Sequence, residues 1–213
     1  MLAIILLLQR PGAGGPLQPQ AGKASGTAVK PDPAGQNLRR FLEKPVDWVQ
    51  WKNMKGISNN GAATRPAGEK SYYKPSERGF YYQYFNFPIF GQNTRGDSTP
   101  REGWGDVVVV VYKFGQTVGD YYDKREVLIE IGAHVRDCDL GEANLVGMNV
   151  SDIMKKFGDG FIKKNDVMVY CLDGKALALG IRGGKIDWFH CVRINFDIRS
   201  AEDIPAWLLE YRS

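Results

Sequence analysis

The stretch that decides the fold is DVMVYCLDGKALALGIRGGKIDWFHCVRINF, running from Asp166 to Phe196. Two pairs, Asp173-Gly174 and Gly183-Gly184, cut it into three apolar runs. Both pairs suit the left-handed backbone of a two-residue hairpin turn, so the runs read as three consecutive antiparallel strands. The turns also set a register. Leu172 opposite Lys175 puts Cys171 beside Ala176, Tyr170 beside Leu177 and Met168 beside Leu179. Arg182 opposite Lys185 puts Ala176 beside Cys191, Leu177 beside His190 and Leu179 beside Trp188. Side chains alternate across a strand. One face is therefore expected to carry Met168, Tyr170, Leu177, Leu179, Ile181, Ile186, Trp188 and His190, and the other Val167, Val169, Cys171, Ala176, Ala178, Gly180, Phe189 and Cys191. The second face is mostly small, which predicts another element lying close against it. Cys171 and Cys191 would share a row with one strand between them, roughly 9–10 Å apart at ~4.8 Å per strand. That exceeds the ~7 Å reach of a disulfide, so the two are expected to be unbonded.

Upstream, NLVGMNVSDIMKKFGDG (Asn144–Gly160) reads as a helix with its stops. Asn149 is placed as N-cap with Asp152 three residues on, and Met148 and Ile153 as a staple. Val150, Ile153, Met154 and Phe157 form one apolar stripe, with Lys155 and Lys156 in the last turn and Gly158 as a left-handed stop. A phosphate cradle is excluded, because the glycines do not join a strand to a helix start and no Lys-Ser/Thr follows.

This helix and the strands after it resemble the small envelope domains of the SmpA/OmlA (BamE-like) type. There a Gly-Met-Ser/Thr start opens a helix that ends in Leu-Gly-x-Pro and leads to a three-stranded sheet. Gly147-Met148 and Phe157-Gly158 match; Gly160 stands in the place of the Pro, and the acylated Cys is absent. The resemblance spans residues 145–195, and the chain as a whole is similar to uncharacterised Bacteroidota proteins. It implies a non-catalytic domain that binds other proteins in the cell envelope.

Composition fits a soluble globular chain: 213 residues, 43% hydrophobic, 24% charged,. The net charge of +4 is spread along the chain and does not point to nucleic acid,. Three cysteines are not a disulfide scaffold,. The apolar run from Leu2 to Leu8 is too short to span a bilayer and is read either as the h-region of a signal peptide whose basic start is missing or as a chance apolar tip,. Residues 9–36 are rich in Pro and Gly and are expected to be a disordered linker,.

Between linker and helix, residues 37–140 form an aromatic-rich part. Leu38, Phe41 and Leu42 lie at helical spacing up to Pro45, and Trp48 and Trp51 are expected as core anchors,. FYYQYFNF (80–87) alternates as a strand, VVVVV (107–111) is a strand buried on both faces, and EVLIEI (126–131) is a strand with Val127, Ile129 and Ile131 on one face,. The chain closes with capping signals at Ser200 and Asp203 and a short terminal helix from Ala206 to Tyr211. The expected class is α+β: a mainly antiparallel sheet, with helix, three-stranded meander and terminal helix over residues 141–213, and 37–213 forming one domain if both parts share a sheet.

Candidate chemistry is sparse. His134 lies near Asp137, Cys138 and Asp139, but the spacing is not that of a zinc site, and no metal or cofactor is expected,. Asp97, Glu102 and Asp106 beside Trp104 could line a sugar site in a long loop,. Tyr170 and Trp188 on the larger face are candidates for a binding surface, where His190 is read as a structural histidine,. The expected function is a non-enzymatic exported or envelope protein that binds another protein, with no nucleic acid partner and no transmembrane span. Two alternatives stay open: an enzyme acting on a polysaccharide through the acids near Trp104, and a cytoplasmic immunity-type binding protein.

Overall fold

A computed structural model describes residues 32–50, 62–64, 73, 75–86, 107–119, 124–134, 136 and 140–211. The chain is α+β and mainly sheet. Helix α1 (Pro33–Glu43) starts four residues before the expected Asn37, inside the segment read as linker. Asp32 caps it by accepting from the Gly35 amide at 3.1 Å, and Pro33 opens it where a missing N–H costs nothing,. The strands are β1 (Ala62–Thr64), β2 (Gly79–Asn86), β3 (Val107–Phe114), β4 (Glu126–Ala133), β5 (Ile162–Lys164), β6 (Val167–Leu172), β7 (Lys175–Arg182) and β8 (Lys185–Arg193). Helix α2 (Val150–Phe157) lies between β4 and β5.

All eight strands join one antiparallel sheet in the order β1-β2-β3-β4-β8-β7-β6-β5. Two meanders, one from each half of the chain, therefore meet at β4 and β8. The second has four strands, not the three expected, because Ile162–Lys164 adds an edge. Its hairpins form at the anticipated turns, with left-handed backbone at Asp173 (φ 49°), Gly174 (φ 68°), Gly183 (φ 57°) and Gly184 (φ 76°). The seam between meanders is short: Glu130–Ala133 pairs with Phe189–Val192.

Each face of the sheet has its own core. On the first face α1, Trp48 and α2 cover Val107, Val109, Val111, Met168, Tyr170, Leu177, Leu179, Phe189 and Cys191. The helices meet through Phe41 and Phe157, with ring centroids 5.2 Å apart. In α2, Ile153 and Phe157 point inward, whereas Met154 is exposed rather than part of the buried stripe. Asn149 does not cap a backbone amide; its Nδ2 donates to Asp152 at 3.1 Å. Gly158 (φ 87°, ψ −174°) ends the helix with a positive φ that favours glycine, but outside the left-handed helical conformation expected of the stop,.

The second face is covered by residues 194–211, the element anticipated from its small side chains. Ile194, Ile198, Ile204 and Leu208 pack on Val167, Val169, Ala176, Ala178 and Val192. This terminal segment is not the expected helix. It holds two short 3-10 turns, Ala201–Asp203 and Ala206–Leu208, the first closed by the Ser200–Asp203 capping box. Pro205 accounts for the break, since it supplies no N–H to continue the first turn. β3 is buried on both sides, as five successive valines require.

Candidate functional site

Two β-bulges reset the faces of the central strands. In β8, Ile186 pairs with Ile181 but Trp188 pairs with Gly180, so Asp187 is an extra residue. Everything after it turns over relative to the expected register. Leu177 lies opposite Cys191, Ala178 opposite His190, and Leu179 opposite Phe189. Trp188 and His190 thus belong to the second face, and Phe189 and Cys191 to the first. Tyr170 and Trp188, placed together by sequence, lie on opposite faces of the sheet. Cys171 and Cys191 are free thiols, separated by the sheet itself and not by a strand within one row.

The second bulge is in β4. Val110 pairs with Glu130 and Val111 with Leu128, leaving Ile129 unopposed. A bulge puts two successive residues against one partner. Ile129 and Ile131 consequently enter different cores instead of sharing a face, and Glu130 turns toward Val110 and Val192.

These two irregularities bring Glu130 and His190 together. His190 Nε2 lies 2.6 Å from Glu130 Oε1, with side chains 3% and 4% exposed. The two atoms are in contact without an aligned hydrogen bond, and His190 Nδ1 has no hydrogen-bond partner among the described residues. The Trp207 ring stands edge-on to the imidazole with centroids 6.3 Å apart. Next to it Tyr211 lies 6.3 Å from Trp188 and 4.7 Å from His134. Glycines make room: a Cβ on Gly180 would sit 2.0 Å from Trp188 Nε1, and one on Gly132 would sit 2.9 Å from the Phe189 carbonyl.

A carboxylate beside an imidazole is the orienting half of many acid–base sites. Here it is sealed under the terminal segment, and the neighbouring thiol, Cys191, faces the other core. Burial pushes the Cys191 thiol up to about 12, with Lys175 and Arg193 opposing, and pushes Cys171 up to about 11. Burial first and then Asp159 raise Tyr170 to about 12; its hydroxyl donates to the Gly158 carbonyl at 2.7 Å. Tyr170 is therefore a core residue that ties β6 to the end of α2. Among the described residues no three His, Cys, Asp or Glu side chains come together as a metal set. Asp97, Glu102, Trp104 and Asp106 lie outside the described residues, as do Trp51, Asp137, Cys138 and Asp139.

A second cluster lies partly buried beside the first meander. Trp48 Nε1 donates to Glu126 Oε1 at 2.7 Å, and its ring packs on Tyr84 at 4.9 Å. Lys113 Nζ stands 4.9 Å from the Tyr82 ring and 5.5 Å from the Tyr84 ring, and 4.0 Å from Glu126 Oε2. The Gly119 amide donates to the Tyr82 hydroxyl at 2.9 Å. Next in sequence to Trp48 and Gly119, Val49 is 51% and Val118 58% exposed. Sequence reading assigned Trp48 to the core but missed Lys113 and Glu126. The available signal was a lone charge at the end of an otherwise apolar strand.

Comparison with protein-family models, curated proteins and solved structures finds no match to this chain. No helix among the described residues is long and apolar enough to cross a membrane.

Proposed function

We propose that this chain is a non-enzymatic binding protein that works outside the cytoplasm and takes a protein partner on the surface around Tyr82 and Lys113. The observation that carries the reading is the pair of valines, Val49 and Val118, each more than half exposed beside a braced network. Trp48, Tyr84 and Glu126 hold that network, so the valines are presented from a fixed frame. Isolated exposed apolar residues are ordinary; apolar residues beside tyrosine share the aromatic enrichment of interface centres, with Lys113 suited to the polar rim. The carboxylate–imidazole pair supports the same side of the argument, because its burial removes it from substrate. The apolar run Leu2–Leu8 and the Pro/Gly-rich residues after it support export,.

The test joins location to contact. The tagged chain is fractionated in its own host, its N-terminus is sequenced, and a photo-crosslinking residue replaces Val118. A chain cleaved near Gly12–Gly15, recovered outside the cytoplasm and giving a light-dependent protein adduct from Val118 but not from Glu202, supports the reading. An intact Met1 in the cytosol overturns the export half. A correctly located chain with equal adducts from both positions overturns the docking half.

A further inference from the structure

Two Asp-Gly steps fall among the described residues, and the fold treats them in opposite ways. Asp173-Gly174 is the turn between β6 and β7. Both residues have positive φ, Leu172 and Lys175 pair on either side of them, and Arg39 holds the Asp173 carboxylate. Asp159-Gly160 lies between α2 and β5, outside any helix or strand, with both residues exposed. Among the described residues Asp159 makes no hydrogen bond or ion pair, and the Gly160 amide has no partner. A Cβ on Gly160 would meet nothing within 4 Å.

We propose that Asp159 is a modification site, isomerising spontaneously to isoaspartate in the folded chain, while the turn protects Asp173. The chemistry needs only water. The Gly160 nitrogen bonds to Asp159 Cγ, the Cγ–OH bond breaks, and the amide proton leaves with that hydroxyl as water. A succinimide ring results, and water then adds to one of its two carbonyls. Breaking the bond from nitrogen to Cγ restores aspartate. Breaking the bond from nitrogen to the main-chain carbonyl carbon leaves isoaspartate, with the charge retained and one carbon added to the main chain. Glycine favours ring closure, because it has no Cβ to obstruct its nitrogen and leaves the backbone free to rotate. At Asp173 that rotation has to dismantle the hairpin end, breaking ladder hydrogen bonds first. At Asp159 no paired group is disturbed. The added carbon falls between two fixed contacts. The Tyr170 hydroxyl donates to the Gly158 carbonyl at 2.7 Å, and the Phe161 ring lies 5.7 Å from that of Tyr170. Isomerisation therefore alters the link from α2 to the edge of the sheet.

The full chain is held at pH 6 and 37 °C for some weeks, and isoaspartate is located in digests by mass spectrometry with electron-transfer fragmentation. In the folded chain it should form at position 159 about tenfold or more faster than at 173, since one or two ladder hydrogen bonds are worth roughly that factor in an opening equilibrium. In denaturing urea the two sites should draw level, because each presents the same Asp-Gly dipeptide. Asp159→Glu should remove the product, the longer side chain closing a larger ring. Gly160→Ala, for which there is room, should slow it in a chain that still folds. Equal rates at 159 and 173 in the folded chain overturn the proposal. So does isoaspartate at 159 that forms in urea but not in the folded chain, or a difference between the sites that persists in urea.

Discussion

At Gly180 a hydrogen atom is all that fits. The Trp188 indole lies across the glycine on the neighbouring strand, and a Cβ would come within 2.0 Å of its Nε1. Gly180→Ala must push that ring toward Tyr211, and overpacking of this kind costs about 1–3 kcal/mol. A denaturant midpoint lowered with unchanged slope is the expected result; an unshifted midpoint would mean that the indole moves freely. The thiols give a second test at the same scale. Their raised values, about 12 for Cys191 and about 11 for Cys171, keep both protonated and so unreactive in the folded chain. Since the thiolate is the nucleophile, labelling at pH 8 should be slower than in the unfolded chain by about 100-fold at Cys171 and about 1000-fold at Cys191, the thiolate fraction falling tenfold per unit. The reaction should speed up as pH rises. Peptide-resolved mass spectrometry after maleimide labelling separates these sites from Cys138, and rapid labelling of Cys191 at pH 8 would contradict its burial.

At the level of elements, the bulge in β8 decides which residues meet. Asp187 itself contributes little: its carboxylate pairs with Arg182 at 2.9 Å, and the Arg182 side chain is 82% exposed. Asp187→Ala should therefore change stability by no more than about 1 kcal/mol. Deleting Asp187 is a different perturbation, because it removes the extra residue of the bulge,. Ile186 and Trp188 then follow one another on opposite faces and keep Ile181 and Gly180 as partners, so every later side chain stays in its present core,. The deletion variant should fold cooperatively with near-UV circular dichroism like that of the parent chain; loss of cooperative folding would show that the bend of the bulge is itself required. This is also where sequence reading stopped. The glycine turns were legible because positive φ demands particular residues, and β3 was legible because five valines need burial on two sides. The β8 bulge was not, because WFHCV is apolar enough on both faces to suit either register. Glu130 was visible as a lone acid in VLIEIG, but its partner, His190, is distant in sequence and was assigned to the wrong face. Of the candidate site, Tyr170 and Trp188 were recognised as notable aromatics, yet their separation by the sheet followed from a bulge that leaves no local mark.

For the whole molecule, topology sets an order of events. β1 to β4 and β5 to β8 are each built from sequence-adjacent antiparallel pairs; two-residue turns join β5 to β8, whereas the connections within β1 to β4 run from 11 residues (115–125) to 20 (87–106). The seam is different: Ile131 meets Cys191 only after the intervening chain, α2 and three strands included, has been arranged. Loop-closure entropy has to be overcome before such contacts stabilise anything, so low-separation pairings are favoured early and the seam late. Ile131 is buried, and Ile131→Val should cost about 0.5–1.5 kcal/mol through one lost methyl group,. If the seam closes after the rate-limiting step, that loss will appear almost wholly as faster unfolding, with a φ-value of about 0–0.3. Leu177→Ala, in the β6–β7 hairpin, removes contacts made within a local pairing and should slow folding as well,. Stopped-flow chevrons of the two variants decide between this order and its reverse. A φ-value near 1 at Ile131 would mean that the halves dock before either meander is complete.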